Sequence, residues 1–98
     1  MASLLVERLG DTLVRIAFDP ADYDIQRYGW VKLHTQLNIS SGGAISIDLD
    51  HLFAGIVVVN LNPTQTAHPI DREGVIHAVL EYLQSVSIRA DREILTDL

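Results

Sequence analysis

Residues Trp30 to Leu49 read WVKLHTQLNISSGGAISIDL, and the fold depends on how this stretch is understood. Val31, Leu33, Leu37 and Ile39 fall on odd positions, while Trp30, Lys32, His34, Gln36 and Asn38 fall on even ones. Strict alternation puts the two sets on opposite faces of a strand, so Trp30 to Ile39 is expected to be extended. Ser40-Ser41-Gly42-Gly43 then turns the chain, and Ile45, Ile47 and Leu49 resume the apolar face. A hairpin with coincident apolar faces must set Ile39 opposite Ile45 and Leu37 opposite Ile47, with a glycine-bearing bulge in the connection.

Working outward, Thr12 to Phe18 alternates in the same way. Gly10-Asp11 before it supplies the positive φ of a two-residue hairpin turn, which pairs this strand with Leu4 to Leu9. Asp19-Pro20 has the form of a helix start, a capping carboxylate followed by a residue tolerated at the first helical position. Gly29 is expected to end any turn begun there. Beyond the central stretch, Ile56 to Val59 is a β-branched run bounded by Gly55 and Asn60-Leu61-Asn62-Pro63, which predicts a strand buried on both faces. Ile76, Val79, Leu80, Leu83 and Val86 recur at helical spacing, so Ile70 to about Ser87 is the expected main helix, with Asp71 and Glu73 at its positive end. Gly74 inside it marks either a close approach to the sheet or a late helix start. Arg89 to Leu98 is expected to add one or two helical turns.

The fold class expected is therefore α+β: one domain over residues 1–98, a mostly antiparallel sheet of four or five strands, and one main C-terminal helix packed on one face. One helix cannot cover both faces of that sheet. The second face calls either for the N-terminal hairpin and C-terminal segment to fold over it, or for a second subunit, which makes a homodimer one of the two expected outcomes.

Composition narrows the function. The 98 residues are 48% hydrophobic and 20% charged, within the range of a folded domain. Seven basic against thirteen acidic side chains leave a charge of −6, and the single lysine and six arginines are scattered. Nucleic acid needs clustered cations to displace counterions from phosphates, so direct DNA or RNA binding is not expected. The sign points to another protein, of basic character, as partner. Cysteine is absent, which removes disulfides, thiolate metal sites and cysteine nucleophiles. Glu7 and Arg8 interrupt the N-terminus too early for a secretory leader, and the longest apolar run, Ala54 to Val59, is far short of the roughly 20 residues of a membrane span. A soluble cytoplasmic protein is expected, with no membrane contact and no cofactor.

Two constellations could carry function. Asp19, Asp22 and Asp24 interleave with Tyr23, Tyr28 and Trp30, and His34 follows on the polar face of the expected strand. Aromatic anchors ringed by charge are the chemistry of interface hot spots, and these seven residues form the expected partner-binding site. The alternative is a metal or histidine centre. Asp48 and Asp50 share a strand face next to His51, Glu73 and His77 are spaced i,i+4, and His68 could join them from the preceding loop. A solvated strand end and a surface pair explain the same residues. No Gly-x-Ser-x-Gly elbow or phosphate loop is present, and no catalytic residue is assigned. The expected function is a small acidic protein-binding module, an inhibitor or immunity-type protein that blocks its partner. A metal-assisted or histidine-based enzyme and an oligomeric assembly subunit are the alternatives.

Overall fold

The computed structural model describes residues 4–62 and 70–88. Four strands, β1 (Leu4–Arg8), β2 (Leu13–Phe18), β3 (Ile45–Asp48) and β4 (Ile56–Leu61), form an antiparallel sheet in the order β1-β2-β4-β3. Two helices of 14 residues each, α1 (Arg27–Ser40) and α2 (Arg72–Ser85), complete an α+β fold.

The N-terminal hairpin forms as expected, with Leu4 opposite Phe18 and Arg8 opposite Val14. Its connection is one residue longer than expected, because the Leu9 amide donates to the Leu13 carbonyl and leaves Gly10-Asp11-Thr12 in the turn. Gly10 holds a φ of 100°, which its missing Cβ allows. Asp19 caps a single 3-10 turn, Pro20–Asp22, by accepting from the Ala21 amide, so that start signal is confirmed.

The central stretch departs from the expectation. Trp30 to Ile39 is not a strand; it is the body of α1, and Gly29 lies inside that helix instead of ending it. The apolar residues of this stretch satisfy two periods at once. Trp30, Leu33 and Leu37 are spaced i, i+3, i+7 and face inward, with His34 and Asn38 beside them half-buried. Val31 and Ile39, which alternation assigned to a buried face, are exposed. The 3.6-residue period prevails because it brings the indole, the largest apolar side chain of the segment, into the core. Ser40-Ser41-Gly42-Gly43 is indeed a turn, but it ends a helix. The Ser41 hydroxyl donates to the Asn38 carbonyl and accepts from the Ala44 and Ile45 amides, which launches β3.

The hairpin register expected between residues 37–39 and 45–47 therefore does not exist. β3 pairs with β4 instead, Ile45 opposite Leu61 and Ile47 opposite Val59. β4 also pairs with β2, Val14 opposite Val59 and Ile16 opposite Val57. Cross-strand partners share a face, so Val14, Ile16, Phe18, Ile45, Ile47, Val57, Val59 and Leu61 form one continuous buried surface. Trp30 of α1 and Ile76, Val79 and Leu83 of α2 join the same cluster, so both helices lie on that side. The expected burial of β4 on both faces is not met. Its residues alternate, with Val57, Val59 and Leu61 buried, Ile56 and Val58 half-buried and Asn60 exposed. The outer face carries Leu5, Leu13, Ala17, Ile56 and Val58 around an Arg15–Glu7 ion pair of 2.6 Å.

The main C-terminal helix is present with tighter bounds than expected. Asp71 caps α2 by accepting from the Gly74 amide at 3.0 Å, and a Cβ at position 74 would overlap that carboxylate. Gly74 thus belongs to the cap and not to an approach to the sheet. At the other end of α2 the Val86 carbonyl accepts from the Asp24 amide, and Tyr23 pairs with Ser87, tying the segment before α1 to the end of α2. The helical turns expected over Arg89 to Leu98 lie outside the described residues.

Candidate interaction face

The seven residues expected to bind a partner separate into a core set and a surface set. Trp30 is fully buried, stacked parallel to Phe18 at 6.4 Å and edge-on to Tyr82 at 5.0 Å between ring centroids. Tyr23 is buried edge-on to Phe18 at 5.3 Å. The aromatic cluster in the sequence is thus largely an internal stack, Tyr23–Phe18–Trp30–Tyr82, which joins the sheet to both helices. Such pairs add about 0.5–1.5 kcal/mol each beyond the area they bury. Burial removes Trp30 and Tyr23 from any surface role as anchors. Asp22 is buried as well, its amide donating to the Asp19 carbonyl. His34 is half-buried on the inner side of α1.

Burial also holds back the ionisation of two phenols. Desolvation and, second, the Asp22 carboxylate raise the Tyr23 pKa above its ordinary value. Desolvation and then Asp24 do the same for Tyr82. Both phenols stay neutral in the folded protein well into alkaline pH.

What remains at the surface is Asp19, Asp24 and, above all, Tyr28, which is 78% exposed. Tyr28 does not stand alone. Val31 is 41% exposed and Ile39 is 74% exposed, and Tyr28, Val31, Thr35 and Ile39 follow one another at i, i+3, i+7 and i+11 on the outward side of α1. At about 1.5 Å per residue this stripe is roughly 16 Å long. Arg27 and Lys32, both exposed, flank it at i,i+4 from Val31 and Tyr28. The opposite side of the helix is fixed in the core by Trp30, and Asn38, which borders the stripe at i,i+7 from Val31, donates its side-chain amide to the Ile45 carbonyl at 2.7 Å. Lys32 is on the polar set in either reading, but Val31 and Ile39 are not legible as surface residues from alternation, which gives them to the apolar face of a strand. The helical spacing of Trp30, Leu33 and Leu37 is the signal that would have found them.

The alternative metal residues do not assemble. Among the described residues no group of three or more His, Asp or Glu side chains is positioned to hold an ion. The Asp48 carboxylate accepts from the Asp50 amide at 2.9 Å, a local turn at the strand end next to His51. Glu73 pairs with Arg8, and His77 pairs with Glu81 at 3.0 Å on the surface of α2. His68 lies outside the described residues. An open depression lined by Asp71, Glu73, Gly74, Ile76, His77 and Leu80 marks the start of α2, but Glu73 and His77 are engaged in these exposed pairs and Asp71 in the helix cap.

Compared with known proteins, the chain matches no family model, no curated protein and no solved structure. Among the described residues no helix is long and apolar enough to cross a membrane.

Proposed function

We propose that this chain is a small protein-binding module that acts by occupying a partner's surface, with the outward stripe of α1 as its docking face. The observation that carries this reading is the alignment of Tyr28, Val31 and Ile39 in solvent, on a helix whose other side is fixed in the core. A rigid helix presenting an aromatic and two β-branched anchors loses little conformational entropy on docking, and this is the helix-in-groove mode of recognition. An inhibitor or immunity-type role is the form we favour, because α1 offers an exposed apolar face while among the described residues no cluster of His, Asp and Glu assembles to hold a metal ion, and such a face acts by covering what it binds. The same reading has the module working in the cytoplasm. A domain without cysteine draws nothing from an oxidising compartment.

The test is capture of a stoichiometric complex from native lysate with the wild-type chain and with a Tyr28→Ala/Ile39→Ser variant. Loss of the complex with the variant, at unchanged circular dichroism, is the expected result. Turnover of a substrate by the purified chain alone, or capture indifferent to both substitutions, would overturn the reading.

A further inference from the structure

We propose that the docking face of α1 takes an acidic amphipathic helix of a partner protein, so that the face recognises a charge of the same sign as this chain's own. The inference rests on the reading of α1 as the docking face and adds the chemistry of its occupant. Its basis is the distribution of charge. The helix RYGWVKLHTQLNIS contains Arg27 and Lys32 and no carboxylate, whereas the rest of the chain holds five cations and thirteen carboxylates. In a molecule of net charge −6, an entire 14-residue helix is left cationic.

Arg8 is paired with Glu73 and Arg15 with Glu7, while Arg27 and Lys32, like Arg72 of α2, make no ion pair among the described residues. The nearest carboxylate before the helix, Asp24, accepts from the Gln26 side chain at 3.4 Å. No acidic residue occupies the first turn of α1, in contrast to α2, which has Asp71 as its cap and Glu73 in its first turn. The outward face is therefore an apolar line of Tyr28, Val31 and Ile39 with an unpaired cation on either side. Its complement is an apolar line bordered by carboxylates, at the same helical spacing.

Net charge alone favours a basic partner, and long-range steering follows net charge. The docked state does not. Within a Debye length of about 8 Å at physiological salt, the charges that count are those at the contact, and like charges set against each other there are penalised. A basic partner seated on α1 would face Arg27 and Lys32. A second copy seated through the same helix would bring two such pairs of cations together.

Two synthetic helical peptides with leucines at i, i+3, i+7 and i+11 test this, one with glutamate and one with lysine at all remaining positions. Binding is read by fluorescence anisotropy of labelled peptide and mapped by amide and methyl shifts of the isotope-labelled chain. The glutamate peptide is expected to bind, with shifts centred on Tyr28, Val31 and Ile39. Affinity should fall roughly tenfold in the Arg27→Glu/Lys32→Glu variant, since each exposed pair contributes a fraction of a decade to about one. The lysine peptide should bind the wild type roughly tenfold more weakly and recover on the variant, a reversal that a folding defect would not give. Equal or tighter binding of the lysine peptide at the same face overturns the acidic partner and leaves the docking face standing. Shifts from neither peptide overturn both. Self-association abolished by Ile39→Ser, seen by light scattering, would make a second copy the occupant. Loss of α1 signals on vesicles of phosphatidylglycerol and phosphatidylcholine, without peptide binding, would make it a lipid surface. Either result refutes the proposal.

Discussion

Replacing Gly29 by alanine sets two known energies against each other at the joint between the helices. Alanine improves the helix by at most about 1 kcal/mol over glycine. Against this, a Cβ at position 29 would overlap the Tyr82 hydroxyl and approach its Cζ to 3.1 Å. The phenol cannot simply swing aside, because its ring stands at 81° to the Trp30 indole, which is itself wedged against Phe18. Overpacking of this kind costs about 1–3 kcal/mol. Gly29→Ala is therefore expected to destabilise the fold by about 1 kcal/mol net. In a Tyr82→Phe background the hydroxyl is gone and only the 3.1 Å approach remains, which needs a shift of a few tenths of an ångström. There the same substitution should be neutral or stabilising, giving a coupling of about 1–2 kcal/mol between the two positions. Urea titration of the four variants, followed by the fluorescence of the single tryptophan, measures the cycle. Equal costs of Gly29→Ala in both backgrounds would refute the account and put the restraint in the helix backbones.

Other substitutions test other parts of the fold. Gly55 holds a φ of 86°, and a Cβ there would run into the Phe18 carbonyl oxygen and lie 3.0 Å from Pro20 Cδ. Gly55→Ala should cost about 2–5 kcal/mol in the same titration, from the strained backbone and the clash together. Asp71→Ala removes the cap of α2 and should cost about 1 kcal/mol, while Asp71→Asn should recover most of it, as read by thermal melting. The raised pKa values of Tyr23 and Tyr82 mean that between about pH 10 and the folded-state value the unfolded chain has lost protons that the folded chain keeps. Their contribution to stability is complete below about pH 10 and declines above it, so Tyr82→Phe should flatten the alkaline loss of stability followed by circular dichroism. Tyr28→Ala and Ile39→Ser alter side chains that are 78% and 74% exposed and should each change stability by less than about 0.5 kcal/mol, which separates their effect on the proposed binding from folding.

Where one period was available, the sequence could be read directly. Val14, Ile16 and Phe18 alternate with smaller or charged side chains, and Ile76, Val79 and Leu83 recur on a helix, so the first hairpin and α2 were legible from pattern alone. α1 was not, because Val31, Leu33, Leu37 and Ile39 alternate as well as any strand while Trp30, Leu33 and Leu37 serve a helix. Local pattern does not say which apolar set will meet the rest of the core. That choice is made by Phe18 and Tyr82, 12 residues before Trp30 and 52 after it. The candidate interaction site is subject to the same ambiguity. Crowding of Tyr23, Tyr28 and Trp30 within eight residues is a real signal, but composition cannot tell an exposed aromatic cluster from an internal stack. Once the segment is helical, Trp30 turns inward and Tyr28 outward, and the outward line of Val31 and Ile39 becomes visible.

The place of β4 bears on how the protein is made. Among the described strands it comes last in the chain, yet it lies between β2 and β3, the two neighbours it hydrogen-bonds. Until residue 61 has emerged there is no contiguous sheet, only a hairpin at one side and a separate segment carried by α1 at the other. The two outer pieces are joined only through β4, whose Val57, Val59 and Leu61 supply the buried face between them. A chain cut before Ile56 would thus leave β2 and β3 each without the neighbour that links them.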